Sequence, residues 1–172
     1  MKRLYTHKQI ITLLFLTIVF SFCISFSFAQ PDLPQQTLSI IPTQAIRFGT
    51  ICVKGSGGTV VVGWDGSRTS TGEVVLLSRS PSAQAAVFEI KLFKGRNVII
   101  SFDATTILTG SNGGELILDI GPTEKGMNGA SFSTQGDGNF ITQLRVGGTL
   151  HIPGIAPRGS YTGSFGITFN QQ

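Results

Sequence analysis

The residues of this chain whose side chains most often carry out enzyme chemistry are few and widely spaced. His151 is the single histidine after the apolar segment at 10–28, and Cys52 is the single cysteine after it. A lone histidine without paired cysteines does not make a usual zinc site, and a catalytic Cys52–His151 pair needs an exposed thiol. We predict instead that Cys52 is a small buried residue and that His151 points to solvent from a strand. No metal or cofactor site is expected.

The carboxylates show no spacing that selects a catalytic pair. Glu73, Glu89 and Asp119 fall on predicted outer faces of strands. The acids that border turns are Asp65, Asp103, Glu115, Glu124 and Asp137. Two carboxylates facing each other across a cleft would suffice for glycoside hydrolysis, but nothing in this pattern brings two together. Asp137 and Asn139 have the i, i+2 spacing of calcium loops without the further oxygen ligands, which is typical of an ordinary turn. The sequence therefore predicts a protein that is not an enzyme.

Trp64 and Arg68 are the candidate ligand contacts. They flank a predicted hydroxyl-rich loop at 64–72, where an exposed indole can stack on a sugar ring. A single tryptophan in a β-sandwich is also commonly a core residue. A second predicted loop, at 121–139, contains a short candidate strand at 130–133 and is the other candidate binding segment. Carbohydrate binding or adhesion through these loops is the alternative function.

Short apolar runs separated by Gly, Asn, Asp and Ser determine the predicted fold. This pattern is typical of an all-β protein, and we predict an antiparallel Ig-like or pilin-like β-sandwich of seven to nine strands. In the longest run, Leu144, Val146, Leu150 and Ile152 share one face, which we assign to the core. The last two runs are predicted to pair as a closing hairpin. The predicted strands are 37–41, 45–53, 59–64, 73–78, 86–93, 97–102, 115–120, 140–152 and 161–170.

The N-terminus has the features of an export signal. A basic start precedes the apolar segment at 10–28, and Ser27 and Ala29 are the small residues that a signal peptidase reads, so cleavage is predicted between Ala29 and Gln30. The apolar segment is long enough that a retained membrane anchor is the competing interpretation. Lipid attachment at Cys23 is a third. After cleavage the protein is expected in the periplasm, at the cell surface or outside the cell.

Cleavage also changes the charge and the domain organisation that the sequence implies. It removes three basic residues and no acid, so the net charge falls from +4 to about +1. The remaining Lys and Arg are scattered, which argues against nucleic acid as a partner. We predict a signal peptide at 1–29, an extended leader at 30–36 and a single sandwich domain at 37–172. A mature chain with one cysteine has no intramolecular disulfide.

Five segments of the chain carry a resemblance to a known family: "IRFGTI" (46–51), "GGTVVV" continuing into "WDGSRTSTGEV" (57–74), "AAVFEI" (85–90), "VGGTLHI" (146–152) and "GSYTGSFGITF" (159–169). They resemble one bacterial family, the domain of unknown function 4402, whose members are small exported β-rich proteins. The resemblance implies the same fold and export, and it supplies no catalytic residues. The closing strand also resembles those of spore-coat-U-like and pilin-like domains, which assemble into surface polymers.

Together, these features predict an exported, non-enzymatic structural or interaction protein of the cell envelope or surface, of a pilin-like or coat-like kind. Its candidate partners are further copies of the same chain, other envelope proteins or a glycan. Nucleic acid is not expected as a partner, and neither is the membrane once the signal has been cleaved.

Overall fold

The computed structural model describes residues 11–12, 38–92, 96–134 and 141–172. The chain divides into two units, 1–35 and 36–172, and residues 11–12 of the first unit are helical. In these described ranges, none of the helical structure is long and apolar enough to cross a membrane. The predicted cleavage site at Ala29 and Gln30, the leader at 30–36, Cys23, Asp137 and Asn139 all lie outside the described residues.

The second unit is built from β-strands, and the described residues contain eleven of them. This confirms the prediction of an all-β fold, with more strands than the seven to nine expected. The strands are β1 (Ser39–Gln44), β2 (Ile51–Val62), β3 (Arg68–Leu76), β4 (Ala86–Lys91), β5 (Asn97–Phe102), β6 (Thr105–Gly110), β7 (Glu115–Thr123), β8 (Ser131–Ser133), β9 (Ile141–Pro153), β10 (Tyr161–Thr162) and β11 (Ile167–Gln171).

The strands form a large and a small antiparallel sheet. The large sheet has the order β1-β4-β9-β7-β6-β10, with β2 pairing both β9 and β3, and the small sheet has the order β11-β5-β8. Strand β9 is the centre of the large sheet. On one edge of β9, residues 141–146 pair with β4 and residues 148–153 pair with β2. On the other edge, residues 146–151 pair with β7. Both edges of β9 are therefore occupied by other strands.

The core lies between the two sheets and follows the predicted alternation. Leu144, Val146, Leu150 and Ile152 of β9 are all buried, as their spacing predicted. In the small sheet, β5 and β11 contribute buried side chains to the same hydrophobic cluster. The ring of Phe88 on β4 lies 6.4 Å from that of Phe165 and 6.3 Å from that of Phe169, so aromatic contacts join β4 to the C-terminal segment.

The predicted closing hairpin is wrong. Strand β10 pairs with β6 in the large sheet, and β11 pairs with β5 in the small sheet, so neither pairs with β9. The reason is that β9 has no free edge to offer them. Residues 163–166 carry the chain from one sheet to the other. Gly163 permits this path because a Cβ there would lie 2.6 Å from the carbonyl oxygen of Ile107.

The other departures from the predicted strands have local causes. Strand β2 runs without a break through two predicted strands, because an irregularity between Val53 and Gly58 bends it instead of ending it. Most of the predicted loop at 64–72 belongs to β3. The predicted loop at 121–139 contains the end of β7 and also β8, which matches the short candidate strand at 130–133. Strand β6 was not predicted.

Candidate functional site

The predicted contact Trp64 lies in the tight turn between β2 and β3. The N–H of Gly63 donates to the carbonyl of Ser67 at 2.9 Å, which closes the turn. Asp65 accepts hydrogen bonds from the Ser67 hydroxyl at 2.6 Å and from the Ser67 N–H at 3.0 Å. These two bonds lower the pKa of Asp65. Gly66 has φ +85°, the left-handed conformation that such a turn requires.

Trp64 is 41% exposed in this turn. Of the two interpretations that the sequence left open, this exposure favours surface contact over a core position. The turn takes the indole beyond the end of the β2–β3 pairing, which stops at Val62 and Arg68. A partly exposed indole presents a flat apolar face with one N–H donor, which suits stacking on a ring.

Arg68, the second predicted contact, is half-buried at the start of β3. It stands opposite Val62, which is fully buried, so its side chain leaves the sheet on the inner side. The Nη2 group donates to the Thr50 carbonyl at 2.8 Å, and Nη1 donates to the Leu77 carbonyl at 3.3 Å. Nε is buried and has no acceptor. Burial lowers the pKa of Arg68.

Arg68 borders a surface groove of about 400 Å³ that does not include Trp64. The two predicted contact residues are therefore not brought into one groove. The residues that line it come from β3 and from the segment that follows β3. They are Arg68, Leu77, Ser78, Arg79, Ser80, Ser82 and Ala83.

A second arrangement, which the sequence did not indicate, lies on the outer face of the large sheet. His151 on β9 points to solvent, as predicted, and its Nε2 lies 2.6 Å from Oδ2 of Asp119 on β7. The two side chains are 46% and 43% exposed. The alternation of each strand places both residues outward. Their proximity depends on the β7–β9 register, which the spacing of residues along the chain does not reveal.

His151 belongs to a row of outward side chains that crosses five strands. We call Ile107, Ile117, His151, Thr59 and Thr71 the outer row, because each is paired in register with the next. Ile107 and Ile117 are 55% and 53% exposed. At the other end of the row, the hydroxyls of Thr59 and Thr71 are 2.6 Å apart and hydrogen-bonded.

A shallow groove of about 390 Å³ runs along this row. It combines apolar surface with one carboxylate, one imidazole and one hydroxyl. Its lining residues are Gly58, Thr59, Glu115, Ile117, His151, Ile152 and Pro153.

In the described part of the sheet, His151 of the outer row has Asp119 beside it as an acid–base partner, but no activated nucleophile lies next to this pair. Thr59 stands opposite His151, yet its hydroxyl is hydrogen-bonded to Thr71. Across the parts of the chain with described structure, no group of three or more His, Cys, Asp and Glu side chains is arranged to hold a metal ion. The geometry thus offers polar and apolar contacts to a partner, with His151 and Asp119 as a hydrogen-bonding pair.

Cys52 is exposed, so its predicted burial is wrong. It lies opposite Val75 in the β2–β3 pairing, and its neighbours Ile51 and Val53 are half-buried and pack against the core. The alternation of the strand therefore turns the residue between them outward. His151 pairs with Thr59, seven residues further along β2 and beyond the irregularity.

Comparison with known proteins shows the family. The family model described as "Domain of unknown function (DUF4402)" matches residues 38–170, from just before β1 to within β11. No curated protein and no solved structure matches the chain. The resemblance to spore-coat-U-like domains is not shown. Since the match covers nearly all of the β-rich unit, the chain belongs to the DUF4402 family of domains of unknown function.

Proposed function

We propose that this chain is an exported, non-enzymatic structural or interaction protein of the cell envelope or surface, and that it contacts its partner through the outer row. The observation that carries the proposal is the pair Ile107 and Ile117. Both are more than half exposed, and they are directly opposite each other on adjacent strands of the large sheet. Single exposed isoleucines are ordinary, but a paired apolar spot within a sheet face favours contact with another molecule.

The surroundings of this pair support an interaction surface. Glu115, Asp119 and His151 lie beside Ile117 in sequence or in the sheet register, so polar groups border the apolar pair. An apolar centre with a polar rim is the usual organisation of a protein interface. Candidate partners are a second copy of the chain, as in a coat-like or pilus-like assembly, and another envelope protein.

Site-specific photo-crosslinking tests this proposal in an exporting bacterial host. A crosslinker at position 117 should give a defined protein adduct, and Ile107→Thr should abolish it while leaving the melting temperature nearly unchanged. A crosslinker at Val75 is the matched control, because this valine is 43% exposed but lies outside the outer row. Absence of an adduct at 117, or the same adducts at 75, would contradict the proposed surface.

Export is tested separately by the intact mass of the chain from the same host. The basic start, the apolar segment and the small residues at 27 and 29 lead us to expect a chain that begins at Gln30. Full-length protein that remains in the membrane fraction would instead support the retained anchor.

Carbohydrate binding is the second candidate function, and the exposure of Trp64 favours it. Tryptophan emission reports directly on this residue, because it is the only tryptophan in the chain. Saturable quenching or a wavelength shift on titration with a polysaccharide would support the candidate. Loss of retention on the same polysaccharide in Trp64→Ala, with retention unchanged in Ile155→Ala at another exposed position, would assign the contact.

A further inference from the structure

The groove beside Arg68 has an unusual charge distribution. It is lined by two arginines, and none of the residues that line it is acidic. Among the residues with described structure, no carboxylate forms an ion pair with either guanidinium. A half-buried cation without a counter-charge loses hydration that its surroundings do not fully replace.

The hydrogen bonds of Arg68 leave donors available. A guanidinium has five N–H groups, and the carbonyls of Thr50 and Leu77 accept from two of them. Nη1 and Nη2 each keep one further N–H, whereas Nε–H is buried and has no acceptor. The two carbonyls hold the plane of the guanidinium in place, and Gly49 packs against it so closely that a Cβ there would lie 3.2 Å from Cζ. The cation is thus positioned before any ligand arrives.

Hydroxyl groups complete the lining of the groove. Ser78, Ser80 and Ser82 alternate along the segment after β3, and within the described ranges their hydroxyls make no hydrogen bond to protein. Arg79 is exposed on the same segment and is likewise without a hydrogen bond or ion pair there. Cationic forks and neutral hydroxyl donors are the groups that proteins use to bind carboxylate, phosphate and sulfate.

We infer that this groove is a binding site for a compact oxyanion, a carboxylate or a phosphate or sulfate group, held by Arg68 and Arg79 with hydrogen bonds from the serines. A volume of about 400 Å³ admits such a group together with part of the small molecule that carries it. The site is separate from the outer row, so its existence does not depend on the proposed interaction surface.

Amide NMR shifts of the mature protein test the inference. Sodium phosphate, sodium sulfate and sodium galacturonate are titrated separately, with sodium chloride as the reference. The ionic strength is held constant, so that non-specific electrostatic effects are equally screened in every titration. At least one oxyanion should produce saturable shifts at residues 49–50 and 77–83. A response to galacturonate alone identifies a carboxylate as the bound group, and a response to phosphate or sulfate alone identifies that group.

Three variants separate binding from general charge and from folding. Arg79→Gln removes an exposed cation that makes no hydrogen bond or ion pair in the described residues, and it should weaken binding about tenfold, the effect of losing a charge-assisted hydrogen bond. Arg68→Lys keeps the charge, loses the fork and should weaken binding at least as much. Arg145→Gln makes the same charge change on an exposed position of β9 and should bind like the unmodified protein.

Two results would overturn the inference. One is a response to every oxyanion that is no greater than the response to chloride. The other is an equal loss of binding in Arg145→Gln and Arg79→Gln, which would mean that net charge alone attracts the anion. Because Arg79 is exposed and makes no hydrogen bond or ion pair in the described residues, Arg79→Gln should fold and can decide the outcome even if Arg68→Lys does not.

Discussion

The two faces of the large sheet differ sharply along strand β7, although both carry aliphatic side chains. Leu116 and Leu118 point inward and are 2% and 1% exposed, whereas Ile117 between them is 53% exposed. The inner residues pack against the small sheet and its neighbours in the core cluster. Nothing in the described part of the chain covers Ile117 to the same extent.

Along β7, burial is determined by the side of the sheet on which a residue lies and not by its hydrophobicity. Consecutive residues of a strand point to opposite faces, so the pairing register of β7 fixes the directions of Leu116, Ile117 and Leu118 together. The inner leucines therefore contribute to folding stability. In the described structure, the outer isoleucine leaves apolar surface exposed to water.

The largest effect is expected where the small sheet covers the inner face. Phe169 on β11 is buried and contacts Phe88, so Phe169→Ala should lower the free energy of unfolding by about 3–5 kcal/mol. Phe165 also contacts Phe88, but it is only half-buried and lies outside the strands, so Phe165→Ala should cost less. Urea unfolding of both variants measures the difference. Equal losses would show that β11 has no special part in closing the core.

A direct test of the two faces replaces adjacent residues on β7. Leu118→Ala should lower the free energy of unfolding by about 2–5 kcal/mol, because it leaves a cavity in the core. Ile117→Thr should cost less than about 1 kcal/mol, the usual size of a cross-strand pair contribution. Denaturant midpoints compare the two variants. A loss at position 117 as large as that at 118 would contradict the exposed outer face.

A smaller effect is expected for the hydrogen-bonded pair of His151 and Asp119 on the outer face. His151 and Asp119 are each nearly half exposed, so solvent screens their interaction. His151→Ala should change the free energy of unfolding by no more than about 0.5 kcal/mol. A loss of several kcal/mol would place the imidazole in a structural role. Loss of a measurable hydrolase activity in this variant would contradict the proposal that the protein is not an enzyme.

The smallest effect concerns Asp65 in the β2–β3 turn. Hydrogen bonds from Ser67 stabilise the carboxylate and lower the pKa of Asp65 in the folded protein. Its contribution to stability is therefore present above the unfolded pKa of about 3.9 and is lost as pH falls through the lower folded value. At neutral pH, Asp65→Ala should have a slightly lower melting temperature than the unmodified chain. The two melting curves should converge in acid.

Several features of the fold and site were predictable from local sequence. Alternation along β9 predicted its buried face, since the two-residue period of a strand is a property of the backbone itself. The predicted loop begins at Trp64, where the turn lies, because the hydrogen bonds to Asp65 and the left-handed Gly66 involve neighbouring residues only, although the predicted loop extends too far, to 72. The outward direction of His151 followed from the same alternation.

The pairing of the strands, and the outward residues that share a site, depend on the tertiary structure. Asp119 and His151 are 32 residues apart, and the register of β7 on β9 brings their side chains together. The C-terminal segment leaves β9 for the small sheet because both edges of β9 are taken. Such pairings depend on the packing of the whole chain, whereas alternation and turns depend on neighbouring residues. Alternation and turns were therefore predictable from the sequence, and the strand pairings were not.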